Sequence, residues 1–455
     1  DWDINENLQL KSITSYRTFE GEFSVDQDGG PQRVSWLIDI YQQEQFTQEL
    51  QLLGSAFENK LDWILGFYYF EEDGKNINPV RFSQVHLQSG GFFAADSWAV
   101  FGQGTWHATD KLDITFGLRY TEDTRDYLPD QFFEFFPIGP LPLTCPPGVP
   151  GSPPCAVGDR VLPFEEVSQK TKETVPMVNV SYRWTEDLMT YFTYSEGFKS
   201  GGFTQRIFPP EPALPSFDPE FVTSYEVGFK YEGWDNRFRF NFAAFYTDYT
   251  DLQLLVADPS RAGPFVTNAG DAEIKGVEME VFVNPLPGWI ITGSAGLTDA
   301  DRKNLSGGVQ GLTEDSRFEH ISEWTANIQM YKEFELVDGW GYLTPRFEWS
   351  FRTEYGTNSN NIPRLGAPTP AGGPFAGTNL AFGIPNPELV QDDLHLINVS
   401  VRWDVKDTGF ALSGGVDNLT DEQFAIFGNF QDAFGWTNEG FDRGRQWYIN
   451  MAYEF

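Results

Sequence analysis

The sequence predicts an all-β fold, an antiparallel transmembrane β-barrel. Three features indicate it: apolar and polar residues alternate in many segments, short and long connections alternate between those segments, and tryptophans lie beside the short connections. Successive side chains of a strand point to opposite faces, so each segment has one apolar and one polar face. Outer-membrane barrels need that pattern, because lipid covers the outside and the lumen is polar.

The last segment, residues 445–455, shows the alternation most clearly. One face would carry the apolar residues at alternate positions: Trp447, Ile449, Met451, Tyr453 and Phe455. The same period recurs in residues 111–120, 237–247, 277–283, 342–351 and 397–403. A soluble β-sandwich also alternates, but it would not need such long, matched strands. We therefore expect the polar face to line a lumen, with these charged side chains pointing inward: Lys111, Arg119, Arg237, Arg239, Glu278, Glu280, Arg346, Glu348 and Arg402.

We predict about sixteen strands from this period and from the turn residues between segments. They cover residues 7–17, 41–53, 61–72, 92–107, 111–122, 168–183, 187–198, 223–231, 236–248, 272–283, 289–298, 320–333, 340–351, 390–404, 408–419 and 441–455. Short connections such as ATD, TED and EGWD alternate without exception with long ones near residues 18–40, 73–91, 123–167, 199–222, 249–271, 299–319, 352–389 and 420–440. Outer-membrane barrels have short periplasmic turns and longer extracellular loops. The prediction therefore places Phe455 at the periplasmic rim.

Tryptophans mark the same end of the predicted barrel. Each of the following lies in or beside a short connection: Trp63, Trp184, Trp234, Trp289, Trp340 and Trp403. Trp2 lies at the chain start, which the alternation assigns to the periplasmic side. Tryptophan favours the membrane interface, where its ring is half buried and its N–H is hydrated. Tryptophan can also flank turns in any β protein, but an interfacial girdle explains its position better.

Composition excludes several classes of protein. The chain has 455 residues, is 40% hydrophobic and contains no run of eighteen apolar residues, which excludes helical membrane spans. Its formal net charge of −35 would repel phosphate backbones, so we expect no nucleic-acid partner. The chain starts at Asp1 without a visible signal peptide. Either an export signal was removed, or the chain begins downstream of its natural start.

Two cysteines, Cys145 and Cys155, lie in the segment LPLTCPPGVPGSPPC. A disulfide closing a Pro/Gly-rich loop is the reading we favour, and it implies an oxidising compartment. Two free thiols are the alternative. A zinc site fits less well, because the four histidines are scattered along the chain. We predict no catalytic residue, no bound metal and no cofactor.

Several long stretches resemble one family. SEGFKSGGF (195–203), TSYEVGFKYEGWDNRFRFNFAAFYTDYTDLQL (223–254), VTNAGDAEIKGVEMEV (266–281) and DNLTDEQF (417–424) resemble the C-terminal half of TonB-dependent outer-membrane receptors. NLQLKSITSYR, TQELQLLGS and DWILGFYYFEEDG, nearer the start, resemble mid-barrel strands of that family. The resemblance covers essentially the whole chain, follows the family's order, and does not specify a substrate.

The resemblance implies active import of a scarce, bulky nutrient, such as a ferric siderophore, cobalamin or an oligosaccharide, across the bacterial outer membrane. Its partners would be outer-membrane lipid, a small-molecule ligand such as an iron chelate, and the TonB complex, reached through an N-terminal region. The family's plug domain has no counterpart in residues 1–455, which we expect to form part of the barrel domain. Such barrels have about 22 strands. We therefore expect an open sheet, because residues 7–17 and 445–455 would not have evolved to pair.

Residues of the predicted long loops are candidates for ligand contact. Aromatic side chains there could stack on sugar rings or aromatic chelating groups: Phe132, Phe133, Phe135, Phe136, Phe430, Phe434 and Trp436. Such residues more often pack loops onto one another, which is the alternative that we favour. Arg206 and Arg317 could bind an anionic chelate, as could Arg125, Arg302, Lys303, Arg352 and Arg364. Loop arginines are, however, more often solvated or paired with carboxylates.

Other functional classes explain the sequence less well. A passive porin is the main alternative, since it would lack a plug and filter solutes by the charge of its lumen. An outer-membrane hydrolase is disfavoured because no G-x-S-x-G motif occurs and Ser195 has no histidine near it in sequence. A soluble β-propeller would not produce alternating short and long loops with tryptophans beside the short ones.

Overall fold

A computed structural model describes residues 1–26, 29, 31, 35–82, 85–136, 143–147, 152–256, 265–305, 312, 314, 316–358, 389–431 and 436–454. Their strands are β1 Trp2–Asn5, β2 Leu8–Asp26, β3 Ser35–Ala56, β4 Leu61–Phe82, β5 His86–Thr109, β6 Leu112–Pro129, β7 Phe132–Phe135, β8 Val167–Arg183, β9 Leu188–Lys199, β10 Gly202–Phe203, β11 Ser216–Phe217, β12 Glu220–Gly233, β13 Phe238–Thr250, β14 Gln253–Val256, β15 Phe265–Asn268, β16 Asp271–Val283, β17 Trp289–Lys303, β18 Trp324–Lys332, β19 Phe334–Glu335, β20 Tyr342–Arg352, β21 Tyr355–Gly356, β22 Val390–Gln391, β23 Leu394–Asp404, β24 Phe410–Asp417, β25 Ala425–Gln431, β26 Trp436–Phe441 and β27 Gln446–Tyr453. A 3-10 turn covers Val337–Gly339. Within these described ranges, no helix has the length and apolar character needed to cross a membrane.

One antiparallel sheet dominates the molecule. Its strands pair in the order β1, β2, β3, β4, β5, β6, β8, β9, β12, β13, β16, β17, β18, β20, β23, β24 and β27. Every predicted strand overlaps one of these, and the short β1 is an addition. The all-β, antiparallel fold class is therefore confirmed. Among the described strands, β27 pairs with β24 and no ladder joins it to β2.

Two of the predicted long loops are wrong. Most of residues 18–40 and 73–91 belongs to strands, because β2 pairs with β3 as far as Asp26 and Trp36, and β4 pairs with β5 as far as Arg81 and His86. The connections are only residues 27–34 and 83–85. Beyond the membrane, the outward positions of a strand are polar as well. In β2, Glu22 faces outward whereas Phe23 lies on the lumen face, so an outward-facing apolar period no longer marks the strand while the backbone pairing continues.

The strand register places apolar side chains next to one another on one face of the sheet, where they form a belt. Leu65, Phe116 and Val227 on this face are 55%, 54% and 55% exposed, which water would not favour across so large an area. Aromatic side chains form the edge of the belt at the loop end: Tyr16, Phe46, Tyr69, Trp98, Tyr120, Tyr194, Tyr225 and Tyr246. Exposed tryptophans form the edge of the belt at the turn end: Trp2, Trp106, Trp184, Trp234 and Trp340. Aromatic girdles along both edges of an apolar belt are typical of a lipid-facing surface.

The opposite face of the sheet is polar. It carries most of the charged residues predicted to point inward: Arg119, Arg239, Glu278, Glu280, Arg346, Glu348 and Arg402. Glu348 accepts hydrogen bonds from Gln329 (2.7 Å) and Asn398 (3.4 Å) on the two neighbouring strands. Lys111 and Arg237 lie instead in the short turns that precede β6 and β13.

A compact apolar core lies at the loop end of the sheet, and we name it the cap core. Its buried residues come from β3, β4, β5, β7, the connection between β4 and β5, and the described segments 143–147 and 152–162: Leu37, Val80, Val85, Leu87, Phe133, Cys145, Cys155 and Val161. Cys145 and Cys155 form a disulfide with a Cα–Cα distance of 4.9 Å, inside the roughly 7 Å limit for such a bond. The cap core fixes the segment after β6 against the outer ends of the first strands.

Candidate ligand site at the outer mouth

Aromatic side chains cluster on the polar face at the outer ends of β2 to β5. The Tyr41 ring lies between those of Phe19 and Phe93, with centroid distances of 6.0 and 5.3 Å. Gly74 makes room for this arrangement, because a Cβ there would lie 2.4 Å from the Phe93 ring. The cluster therefore depends on strands that continue beyond the membrane and on a glycine opposite the largest ring.

Arg206 reaches this face from the segment between β9 and β12. Its Nη2 donates to Asp39 Oδ2 at 2.5 Å, and Asn76 Nδ2 donates to Asp39 Oδ1. Asp39 is 6% exposed, so these two bonds replace the water that a buried carboxylate would lose. The ion pair ties a long loop to a strand 167 positions earlier in the chain.

A cavity of about 440 Å³ opens between the aromatic cluster and the Arg206 ion pair. It is lined by Phe19, Gly21, Glu22, Phe23, Asp39, Tyr41, Asn76, Gln205 and Arg206. We name these nine residues the mouth site. Cavities of this size, with apolar walls and a few placed polar groups, are typical of small-molecule sites.

Buried polar groups lie close to the mouth site, three of them on the same face of β4, β5 and β6 and the fourth, Gln131, just after β6. Asn78 Oδ1, Ser89 Oγ, Tyr127 OH and Gln131 Oε1 are buried and have no hydrogen-bond partner within the described residues. Burial raises the pKa of the Tyr127 phenol, so this hydroxyl stays a neutral donor at neutral pH. Groups of this kind are ordinarily completed by bound water.

The phenylalanines predicted to contact a ligand between residues 132 and 136 lie in or directly after β7. Phe133 is fully buried in the cap core, with ring centroids 5.1 Å from Phe136 and 6.3 Å from Phe208. Phe135 is 52% exposed and lies against His86. Phe132 lies beneath the Arg160 guanidinium, 5.5 Å from it. Ligand contact through Phe132 and Phe135 stays a prediction, whereas Phe133 has no exposed surface to offer.

The remaining predicted aromatics lie further along the chain. Phe430 and Trp436 belong to β25 and β26, which pair with each other. Phe434 lies outside the described residues. Their part in ligand binding stays a prediction.

Most arginines of the outer end are engaged by carboxylates or rings. Arg317 Nη2 lies 2.5 Å from Glu354 Oε1 beside a second cavity of about 680 Å³. Arg125 Nε lies 2.8 Å from Asp123. Arg302 is buried, with its guanidinium 4.0 Å from the Phe318 ring, and burial lowers the pKa of Arg302 to about 10. These three arginines are therefore paired with a carboxylate or stacked on a ring, and none of them presents a free guanidinium to a ligand.

Comparison with known proteins identifies the family. The family model for TonB dependent receptor-like β-barrels matches residues 1–419. The pesticin receptor of Yersinia enterocolitica is 25% identical over 439 residues, covering 94% of this chain and 53% of that protein. The ferric-pyoverdine 358 receptor of Pseudomonas putida is 28% identical over 274 residues, or 59% of this chain and 28% of that protein.

A solved structure has the same fold. The ferric yersiniabactin uptake receptor of Yersinia pestis superimposes with a TM-score of 0.77 at 18% identity, covering 99% of this chain and 59% of that one. The chain spans about half the length of the curated pesticin receptors that it matches. This chain belongs to the β-barrel family of TonB-dependent receptors, and its place is the bacterial outer membrane.

Proposed function

We propose that this chain forms the barrel of a receptor that imports a ferric siderophore across the outer membrane, with energy supplied through TonB. The mouth site is the observation that carries the proposal. It places three aromatic rings, an amide and an ion pair around a cavity on the polar face, at the end away from the short turns. A ligand arriving from outside would meet this site before it entered the lumen.

The comparisons support the siderophore among the nutrients that the family imports. Relatives of this chain are named as receptors for ferric pyoverdine and for ferric yersiniabactin uptake. Both ligands are iron complexes, whereas cobalamin and oligosaccharide remain the alternatives. In the whole receptor, contact with TonB would belong to the plug domain that the family carries.

Uptake of iron chelates by the intact receptor tests this proposal. We would express it in cells that lack their own siderophore receptors and measure accumulation of radioactive iron from a panel of chelates. Tyr41→Ala should reduce uptake by about tenfold, since it removes the central ring of the mouth site. Tyr69→Ala is the matched control, because Tyr69 lies in the outward-facing girdle and should leave uptake nearly unchanged in correctly inserted protein.

The same cells separate active import from passive diffusion. Uptake should stop when TonB is deleted or the proton gradient is collapsed. Uptake that continues under both conditions would favour the porin, and no uptake of any chelate would contradict the siderophore proposal.

A further inference from the structure

Four buried polar residues next to the mouth site form a layer that we name the polar floor: Asn78, Ser89, Tyr127 and Gln131. Each of them is at most 2% exposed. One polar atom of each has no hydrogen-bond partner among the described residues: Asn78 Oδ1, Ser89 Oγ, Tyr127 OH and Gln131 Oε1. An unmade hydrogen bond in a buried position costs free energy, so such groups ordinarily bind water or a ligand.

The strand register brings these four residues together. Asn78 and Ser89 are direct partners in the ladder between β4 and β5. The Tyr127 side chain lies over Gly91, two positions after Ser89, where a Cβ would lie 2.9 Å from the phenol oxygen. The chain after β6 continues beside β5, which places Gln131 next to the same strand. The polar floor is therefore one patch.

A loop segment lies over this patch. We name residues 204–208, between β10 and β11, the strap. The Arg206 guanidinium donates to Asp39 on β3 at 2.5 Å, and the Gln131 side chain donates to the Gln205 carbonyl oxygen. The strands between these two contacts are β4 and β5, which carry half of the polar floor. The strap therefore separates the polar floor from the cavity of the mouth site, whose lining includes two strap residues.

The polar floor suits a neutral group that both donates and accepts hydrogen bonds. Two of its unpartnered atoms are amide oxygens, which accept, and two are hydroxyls, which donate as well as accept. Burial raises the pKa of the Tyr127 phenol, so this hydroxyl stays neutral. Gln131 and Arg206 lie near enough to oppose that shift, but neither makes a hydrogen bond with the hydroxyl. A peptide amide presents an N–H donor beside a C=O acceptor and so matches this set.

The strap is the part of this arrangement that can move. β4, β5 and β6 are each paired with a strand on both sides, whereas the five described residues of the strap lie outside the ladders. The Arg206 side chain is 48% exposed, so its bond to Asp39 is open to water on one side. Displacement of the strap would connect the polar floor with the mouth site.

We infer that the polar floor is a second binding subsite, which takes the peptide-like amides of an iron chelate when the strap moves away. This inference rests on the proposed function and deepens it, because it adds a ligand class to siderophore import. The rings of the mouth site would contact the apolar parts of such a chelate, and the polar floor would bond its backbone. A chelate without amides would leave these buried groups unpaired, so the site discriminates against it.

Binding of two uncharged ferric complexes to the intact, detergent-solubilised receptor tests the inference. Both are tris-hydroxamate complexes of similar size, one built on a cyclic peptide and the other on a hydrocarbon backbone without amides. Neither has a net charge, so Arg206 and Arg17, which lies on the lumen face two positions before Phe19, act on both alike. Quenching of tryptophan fluorescence reports each Kd. The wild type should bind the peptide complex at least about tenfold more tightly.

Tyr127→Phe should reduce this preference, because it removes only the phenol oxygen. The Kd of the peptide complex should rise about fivefold, while that of the hydrocarbon complex changes less than twofold. Ser89→Ala should act in the same direction, and the double variant should weaken the peptide complex further. The apparent unfolding temperature of Tyr127→Phe should stay nearly unchanged, because the hydroxyl bonds to no group within the described part of the chain.

Tyr355→Phe is the matched control. Tyr355 is also fully buried, but its hydroxyl donates to the Ala425 carbonyl oxygen at 3.0 Å and accepts from Arg352. This variant should lower the apparent unfolding temperature and leave the ratio of the two Kd values unchanged. An equal fall of the ratio in Tyr355→Phe and Tyr127→Phe would assign the effect to general loosening and overturn the role of the polar floor.

Asp39→Asn/Arg206→Gln tests the strap. It replaces the ion pair by neutral side chains of similar shape, so the charge-assisted bond is lost and no buried charge is left unpaired. The strap should then move away more readily, and the peptide complex should associate several times faster, while the hydrocarbon complex associates at its wild-type rate. An unchanged association rate of the peptide complex would overturn the role of the strap.

Two further outcomes separate the inference from the proposed function. Equal or tighter binding of the hydrocarbon complex by the wild type would overturn the inference while leaving siderophore import intact. The same conclusion would follow if the receptor imported another chelate but bound neither complex. Failure to import any chelate of the uptake panel would overturn the proposed function itself.

Discussion

The first strands of the sheet are much longer than the later ones. From β2 to β6 they contain 19, 22, 22, 24 and 18 residues, and β8 contains 17, whereas the strands of the main sheet from β9 onward contain 8 to 15. Both groups cross the same belt. The difference lies beyond the outer aromatic girdle, where the paired strands of the first group extend further: β2 continues for ten residues past Tyr16, whereas β13 continues for four past Tyr246.

This difference decides where a ligand site can be rigid. The strands β2 to β6 and β8, which we name the tall strands, carry backbone pairing outward and are supported by the cap core. Tyr41 and Asn76 are paired with strands on both sides, and Asp39 pairs with β2 and accepts a hydrogen bond from the Asn76 side chain. The short strands end near the girdle. Outside it they are followed by small two-stranded sheets, β14 with β15, β21 with β22 and β25 with β26. We therefore expect side chains to be placed precisely on the tall strands.

Phe133→Ala should have the largest effect on stability, and this effect should be confined to the outer part of the tall strands. Removal of a fully buried phenylalanine from a packed core costs about 3–5 kcal/mol, and here the loss falls on the cap core. Hydrogen exchange should become much faster in residues 131–136 and 152–162, while the strands within the belt stay protected. Phe135→Ala is the control, since that ring is half exposed. Equal exchange in the two variants would show that the cap core does not stabilise the mouth.

Gly341→Ala tests the short strands from their turn end. Gly341 has φ +102°, and a Cβ there would lie 1.8 Å from the Asp404 carbonyl oxygen. Crowding of this kind costs about 1–3 kcal/mol, in addition to the unfavourable φ. The apparent unfolding temperature in detergent should fall more than in Gly339→Ala, where φ is +75° and a Cβ would have open space. Similar values in the two variants would contradict the crowding argument.

The same division explains what the sequence could predict. Inside the membrane, lipid requires an apolar residue at every second position, so every predicted strand overlaps an observed one. Outside it, residues such as Glu20, Glu22, Glu71, Asp73 and Lys75 follow no such requirement, and the outer parts of β2 to β5 were taken for loops. A signal was available in two stretches, TFEGEFSVD and SWLIDIYQQ, where apolar residues still recur at alternate positions, although those of the first stretch lie on the lumen face.

The mouth site itself was beyond the reach of sequence patterns. Arg206 was among the predicted contacts, but its partner Asp39 lies 167 residues away. Alternation of residues along a segment does not indicate that the loop carrying Arg206 packs against β3. The aromatic residues were predicted to contact a ligand because they lie in predicted long loops. In the fold, however, Phe133 is buried in the cap core. Whether a loop ring meets a ligand or another loop is decided by tertiary packing.

The smallest effect is expected at the turn end of the tall strands, where His107 joins three of them. Its Nδ1 lies 2.7 Å from Asp113 and its Nε2 lies 3.0 Å from Asp62. These bonds, to Asp62 first and then Asp113, raise the pKa of His107. The hydrogen bond from Ser55, and secondly that from His107, lower the pKa of Asp62. His107 and Asp113 lie on the turn side of Trp106, and Ser55 and Asp62 lie in the adjoining row at the turn-side edge of the belt.

The two shifts define a pH window for this cluster. A raised histidine pKa stabilises the fold below the ordinary value of 6.5 and ceases to do so as pH rises through the folded value. A lowered carboxyl pKa stabilises above 3.8 and fails as pH falls through the folded value. His107→Gln should therefore reduce stability near pH 6, by under about 1 kcal/mol because the groups are partly exposed, and should have little effect near pH 9. Unfolding by urea at both pH values measures this, and in an Asp62→Asn background the pH 6 effect should shrink. A loss that is equal at both pH values would mean that His107 acts through packing, and that the tall strands need no ionic contact at the end where the short turns already hold them.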